Sequence, residues 1–456
     1  MNQYSPLLER QKEYFSTGET RSYAFRQEML DRLYRALKDN ESSILGALGK
    51  DLGKSDFEGY ATELGIVYEE IRYMKKHLRS FMRKKRAHSP ITQFPSRCYR
   101  ISEPLGSVLI MSPWNYPVQL TLVPLIGAIA GGNTAIVKPS RYSVASSGIL
   151  ARILSDAFDS RYIAAIEGGH EVNSALLELR FDMIFFTGSP NVGRIVMESA
   201  SKTLTPVVLE LGGKSPAIID GTADISLAAT RLAWGKFLNC GQTCVAPDYV
   251  LIKRGLEDEF VKRMKESISR MFTSDPLSSP EFGKIINEKH FRRLMGLLEG
   301  ETPAIGGKND PDALRIEPTV LCPSSFDAPA MQEEIFGPIL PVIPYDDIRD
   351  AMDEIRKREK PLALYIFSSD RKAIRMLSEN LSYGGGCIND AVVHLATPTL
   401  PFGGVGASGM GQYHGQKSYE AFTHSKSILS KSRLIDLPIR YAPYGKKIKL
   451  LRMMMK

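Results

Sequence analysis

SVLIMSPWNYPVQLTLVPLIGAIAGGNTAIVKP, residues 107–139, is the stretch that decides the fold. It opens on a five-residue apolar run and passes through a proline-flanked polar knot, SPWNYP. An apolar stretch of helical length follows, ends in two glycines, and gives way to a second apolar run. Short apolar runs on either side of such a segment read as a strand–helix–strand unit. Strands without a polar face belong to a parallel sheet covered by helices on both sides.

The same alternation continues downstream. YIAAIEGG (162–169), FDMIFFTGS (181–189) and TPVVLELGG (205–213) are further apolar runs, separated by the helical EVNSALLEL (171–179) and NVGRIVMESASK (191–202). Five runs alternating with helices predict a doubly wound α/β unit. Upstream, residues 1–85 place apolar residues at three- and four-residue steps and read mostly as helix, up to a proline-marked break over 84–100. After Glu210–Gly213 a second α/β pattern begins. DISLAATRLAWGKFL and LEDEFVKRMKESISRMF read as helices, as does a segment from Ile348 to Lys357. YVLIKR, EPTVL, ILPVIPY and LALYIFSS read as strands. No internal repeat or low-complexity tract stands out.

The 456 residues exceed what one simple core accommodates, so two or more domains are expected. With 43% hydrophobic and 24% charged residues, the chain is not disordered or collagenous as a whole. Lys and Arg number 59 against 51 Asp and Glu, a net charge of +8. That mild excess comes without a nucleic-acid-binding signature. No apolar run reaches the ~18 residues that span a bilayer, and the first fifteen residues do not read as an export signal. The tail from Tyr444, YGKKIKLLRMMMK, is basic and partly apolar, suited at most to weak contact with an anionic membrane surface. The plainer reading is a solvated tail or one packed on a partner subunit. Five cysteines, an odd number in a large chain, argue against a disulfide framework and for a reducing cytoplasm. Cys240 and Cys244 lack the neighbours that would complete a zinc site, so no metal is expected.

Chemistry concentrates at the ends of apolar runs. In FLNCGQTCVAPDYV (237–250) two thiols flank Gly241 and an amide, and spacing alone does not choose between Cys240 and Cys244 as nucleophile. Either is also readable as a small buried hydrophobe. Glu210 leaves a buried strand, where burial raises a carboxyl toward the general-base range; a structural ion pair is the competing reading. Gly213-Lys214-Ser215 is not a phosphate loop, because the glycine required five residues earlier is Val208. Asn115 follows another strand, where an amide holds an oxyanion or caps the next helix. FFTGSPNVG (185–193) follows a strand and opens a helix, the arrangement that offers N–H groups to phosphates. GVGASG (404–409) matches a dinucleotide pattern literally but lacks strand–helix context and is read as a loop.

Taken in order, Pro113-Trp114-Asn115, Lys138-Pro139-Ser140, Phe186-Thr187-Gly188-Ser189 with Gly193, Glu210-Leu211-Gly212-Gly213, Gly241-Gln242-Thr243-Cys244, Glu334-Ile335-Phe336-Gly337-Pro338 and Pro401-Phe402-Gly403-Gly404 resemble the aldehyde dehydrogenase superfamily across essentially the whole chain. The length, the 237–250 segment and RYAPY (440–444) are most similar to its class 3 branch, which takes fatty and aromatic aldehydes. The resemblance implies a Rossmann-type cofactor domain (1–85 and 105–210), an α/β catalytic domain (211–418), and a bridging element with tail (86–104 and 419–456). It implies oxidation of a medium-chain aliphatic or aromatic aldehyde to the acid, with NAD or NADP as hydride acceptor, in a homodimer. Cys244 becomes the nucleophile, Asn115 and the Cys244 N–H the oxyanion donors, and Glu210 the base that activates water. Cys240 becomes a structural or redox-sensitive neighbour.

Trp114, Lys138, Ser140, Arg141, Gly188, Ser189, Gly193, Glu334 and Phe336 are the implied cofactor contacts. Arg141 departs from the pattern: many NAD-using relatives carry a Glu there, and a guanidinium suits a 2′-phosphate. NADP is therefore expected to be accepted, with an Arg pointing to solvent as the alternative. Tyr60, Trp234, Thr243 and residues near His394 and His414 are the implied substrate side, although Trp234 also reads as core and His414 as a loop histidine with its hydrogen bonds met. Coenzyme-A acylation and a catalytically inactive cofactor-binding relative remain as alternatives. A thiol hydrolase is disfavoured, because no His lies near the thiol in sequence.

Overall fold

The computed structural model of the chain describes residues 2–323 and 325–455. Met1 and Lys456, which bound two of the expected segments, and Ser324 lie outside the described residues.

The five alternating apolar runs form five parallel strands, Ser107–Met111, Thr134–Lys138, Ile163–Ala165, Met183–Thr187 and Val207–Glu210. Across the sheet they stand third, second, first, fourth, fifth. The winding therefore reverses between Ser107–Met111 and Met183–Thr187, as in Rossmann-type sheets, and ligands bind beyond the strand ends at such a reversal. Every residue of these two strands is buried, which is why neither alternates polar and apolar side chains. The helix Gln119–Gly131 is buried at every position and packs against Tyr23–Asp39 and Gly65–Phe81. Burying side chains such as Leu122, Ile126 and Ile129 contributes roughly 1.5–3 kcal/mol each.

A second parallel sheet runs Thr319–Leu321, Ile339–Tyr345, Tyr249–Lys253, Pro216–Ile219, Ala363–Phe367, Gly385–Ile388. Two of its strands escape the periodicity. Pro216–Ile219 is four residues long and begins on a proline directly after a polar turn. Proline is tolerated there because the first residue of a strand can lack an N–H. Gly385–Ile388 is half glycine. Their identity comes from the strands they pair with, not from their own residues.

The segment GVGASG is more than a loop. Gly406–Ser408 makes a 3₁₀ turn, and Gly409–Met410 then pairs antiparallel with Glu210 and Leu209, completing the first sheet at its edge. The reading of a plain loop fails because this pairing is non-local. A third, antiparallel sheet joins Lys85–Ala87, Ser96–Pro104 and Thr423–Lys431, with the last strand mostly exposed along one edge.

Candidate active site

The helix Ile225–Phe237 ends in an unusual turn. Asn239, Cys240 and Gly241 are all left-handed, with φ of 52°, 52° and 73°. Such conformations cost non-glycine residues on the order of 1–3 kcal/mol each and persist only where the surroundings over-determine them. Here they do. Asn239 N donates to Glu58 Oε1 at 2.9 Å, and its Nδ2 donates to the carbonyls of Asn115 at 2.8 Å and Gln242 at 3.1 Å. Gln242 Nε2 donates to the Asn239 and Lys284 carbonyls, both at 3.0 Å, while its Oε1 accepts from Ile286 N. A Cβ on residue 241 would stand 2.2 Å from the Gly337 carbonyl oxygen, so only glycine fits.

This turn delivers Cys244 to a cavity of about 820 Å³ at the carboxyl ends of the first sheet. Cys240 points elsewhere and is 1% exposed, a small buried hydrophobe. Asn115 and Glu210 line the same cavity. The Asn115 Nδ2 donates to the Gln242 carbonyl at 2.9 Å, tying the amide to the loop that carries Cys244. Glu210 is buried, and neither carboxylate oxygen has a partner among the described residues. Burial alone lifts its pKa well above the carboxylate range. Burial, then the Glu334 and Glu210 carboxyls, push the Cys244 thiol up to about 12. A thiolate therefore needs positive charge brought into the cavity.

The expected cofactor residues divide into two groups. Trp114, Gly188, Ser189, Glu334 and Phe336 line the cavity, and Gly193 lies in the first turn of the helix Pro190–Ser201 beside it. Glu334 Oε1 is buried without a partner among the described residues, and Oε2 lies where a Cβ on Gly212 would stand, 2.1 Å away. Burial, then Asp248, raise this carboxyl to about 8. The backbone around it is clamped. Arg293 donates to the Glu334 and Ile335 carbonyls, and Ile335 N donates to Asp248 Oδ1, itself paired with Lys214. Phe336 holds φ at 51° and meets the Trp114 ring edge-on at 5.4 Å.

Lys138, Ser140 and Arg141 lie outside this lining, at the end of the neighbouring strand. Lys138 is buried and donates to the Pro139 carbonyl at 2.7 Å; burial brings it down to about 8. Ser140 Oγ accepts from Tyr142 N, and Arg141 is exposed beside the Tyr142 ring.

The expected substrate residues do not line the cavity either. Tyr60 and Trp234 are 41% and 38% exposed, while Thr243 is buried against the Tyr116 hydroxyl at 2.6 Å. His414 corrects its reading as a satisfied loop histidine. It is buried, its Nε2 has no partner among the described residues, and burial lowers it to about 4.

Several cavity residues carry little sequence signal. Thr187 Oγ1 is buried without a partner among the described residues; its place directly before Gly188 was the available clue. His290, whose ring is tilted at 45° to that of Trp114 with centroids 4.9 Å apart and which burial lowers to about 4, had none. Among the described residues no His, Cys, Asp and Glu cluster forms a metal site.

The chain matches the model of the aldehyde dehydrogenase family over residues 3–428. It is 46% identical over 443 residues to a 4,4'-diaponeurosporen-aldehyde dehydrogenase of Staphylococcus aureus, covering 97% of this chain and 96% of that protein. It is 43% identical over 450 residues to the dimeric NADP-preferring aldehyde dehydrogenase of Rattus norvegicus, covering 98% and 99%. The substrate-bound structure of Staphylococcus aureus AldH superposes with a TM-score of 0.98 at 45% identity, over 100% of both chains.

Proposed function

We propose that this chain, which belongs to the aldehyde dehydrogenase family and is an NAD(P)-dependent enzyme, converts medium-chain aliphatic or aromatic aldehydes to free acids through a thioester on Cys244. One observation carries the reading: a thiol, an amide and an unpartnered carboxyl face one cavity at the sheet's reversal point. The cavity suits the dinucleotide. Glu334 Oε1 and Thr187 Oγ1 are buried polar atoms awaiting partners, and Gly188 and Ser189 open a helix where phosphates are favoured. NAD(P)⁺ bound there supplies the hydride acceptor and a cationic ring.

Cys244 adds to the aldehyde carbon, since an aldehyde offers no leaving group for direct displacement. The Asn115 amide and the Cys244 N–H hold the resulting oxyanion. Oxidation of that adduct leaves a thioester on Cys244. Glu210 takes a proton from water, which attacks the thioester and releases the acid. Tyr60 and Trp234 supply apolar, half-exposed rings for the aldehyde's approach, and Thr243 fixes the loop beneath it.

Arg141, beside Lys138 and Ser140, pairs with the 2′-phosphate of NADP, which we place at or above NAD in preference. The long exposed edge of Thr423–Lys431 joins a second copy in a homodimer, checked by mass in solution. Free cysteines fit a reducing cytoplasm, and no described helix is long and apolar enough to cross a membrane. Residues 431–456 carry eight basic residues against one acidic, giving the tail weak affinity for anionic lipid.

The test is reduced-cofactor formation over a panel of aldehydes with each cofactor, with the product identified. Free acid is expected, and Cys244→Ser abolishes its formation. A coenzyme-A thioester as the product, or oxidation persisting in the variant, overturns the reading.

A further inference from the structure

A fully buried ion pair lies behind the site, and nothing in the chemistry above uses it. Lys54 Nζ and Glu63 Oε1 stand 2.6 Å apart with both side chains 0% exposed. Lys54 follows the helix Glu41–Leu52 through the left-handed Gly53, and Glu63 lies in the widened π turn Tyr60–Leu64. Lys54 lies in the short link between helices and Glu63 in a helical turn, places where charges would ordinarily face solvent.

All their remaining bonds end on the loop that carries Asn115. Glu63 Oε2 accepts from Val118 N at 2.7 Å and Gln119 N at 3.1 Å, the start of the helix that follows Asn115. Lys54 Nζ donates to the Asn115 carbonyl at 3.4 Å and sits 4.0 Å from the Tyr116 ring centroid. That ring's hydroxyl bonds Thr243, next to the nucleophile. The Asn115 carbonyl also receives Asn239 Nδ2, and Asn239 N reaches back to Glu58 in the same segment as the pair. Segment 54–63 therefore grips both loops whose apposition makes the site.

Stability alone does not account for such a pair. Desolvating two ions offsets their attraction, and well-packed apolar residues of similar size commonly do as well. What apolar residues do not provide is directional bonds to three backbone groups within residues 115–119. We infer that Lys54 and Glu63 are positioning residues that hold the Asn115 amide at the distance from Cys244 where the oxyanion forms. This inference rests on the oxyanion role proposed for Asn115. The pair touches neither substrate nor cofactor, and it acts through Asn115.

The experiment is a double-mutant cycle in the full-length enzyme. Lys54→Met together with Glu63→Gln removes both charges while the glutamine carbonyl still accepts from Val118 and Gln119. Misplacing a reacting group by ~1 Å costs up to ~100-fold in rate. A fall of roughly 10- to 100-fold in kcat is therefore expected, with cofactor Kd and aldehyde KM within about threefold of the parent. Combined with Asn115→Ala, the same pair of changes slows the enzyme by less than about threefold more, because the amide it positions is gone. Loss of the same factor in both backgrounds, or a kcat within about twofold of the parent, overturns the inference. Asn115→Ala run alone separates the two readings. If it is slow and the pair's removal is not, only the inference falls; if it is as fast as the parent, the oxyanion role falls and takes the inference with it. If the double change yields no folded protein, Glu63→Gln alone is read in the same cycle by the same criteria.

Discussion

Replacing Glu210 with glutamine separates the two halves of the proposed reaction. The side chain is buried, and both its oxygens lack partners among the described residues, so Glu210→Gln changes neither shape nor any hydrogen bond. Only the ability to take a proton is lost. Attack by Cys244 and oxidation of its adduct do not need that proton acceptor, whereas hydrolysis of the thioester does. A positioned general base contributes about 10²–10⁴-fold, which is ~3–5 kcal/mol on the hydrolytic barrier. Rapid mixing of enzyme, cofactor and aldehyde, followed at the absorbance of reduced cofactor, is expected to show a burst near one equivalent per Cys244. Steady turnover after it is expected to be slowed by that factor. The pH profile adds a second reading. Burial raises the Glu210 pKa well above the ordinary carboxylate range, so hydrolysis-limited turnover in the parent climbs about tenfold per pH unit below that raised pKa and levels off above it. The glutamine variant lacks that slope. Turnover equal to the parent, or loss of the burst together with turnover, refutes the assignment.

Two substitutions in the same cavity, and one at Arg141 outside its lining, have definite expected outcomes. Gly212→Ala places a methyl 2.1 Å from Glu334 Oε2, so Glu334 must swing away and KM for the cofactor is expected to rise several-fold, measured by titration at saturating aldehyde. Glu334→Gln changes stability with a definite sign. The folded carboxyl holds its proton up to about 8, above its ordinary 4.5, so between those values unfolding releases a proton and the parent loses stability as pH rises. The variant has no such loss. Its Tm without cofactor, relative to the parent, should therefore climb from pH 4.5 to 8, and a flat difference would contradict the burial. Arg141→Glu puts an anion where the 2′-phosphate would lie and should lower the NADP-to-NAD ratio of kcat/KM by tenfold or more; an unchanged ratio sends Arg141 to solvent.

The first sheet was readable because its strands are buried on both faces and announce themselves as unbroken apolar runs between helices. Glu210 and Asn115 drew notice because they stand at or just beyond the ends of such runs, where a polar side chain needs a reason, whereas spacing left Cys240 and Cys244 equal and only the family resemblance chose Cys244. Lys54, Glu58 and Glu63 did not, since charges in a polar link and in the amphipathic helical stretch after it look like a solvated face. Only the packing of helix Gln119–Gly131 and the turn at Asn239 against them reveals their burial. The same limit hid Pro216–Ile219 and Gly385–Ile388, whose strand character comes from neighbours far away in the chain. Tyr60 and Trp234 were legible as large rings, but not whether those rings meet the cavity; both are partly exposed and neither is among the residues that line it.

The small edge strand Gly409–Met410 has a consequence for how the molecule comes into being. It lays its backbone along Glu210, and Leu211 N donates to the Ser408 carbonyl, so the wall behind that carboxyl is supplied by residues made almost two hundred positions later. During synthesis the first sheet can collapse early, since its five parallel strands emerge in order, yet it must wait with one flank open. A ribosome-bound chain stopped before residue 409 would carry Cys244 and Asn115 but lack the strand that flanks Glu210. Competence therefore arrives late and in one step, when the chain's last quarter folds back onto its first half.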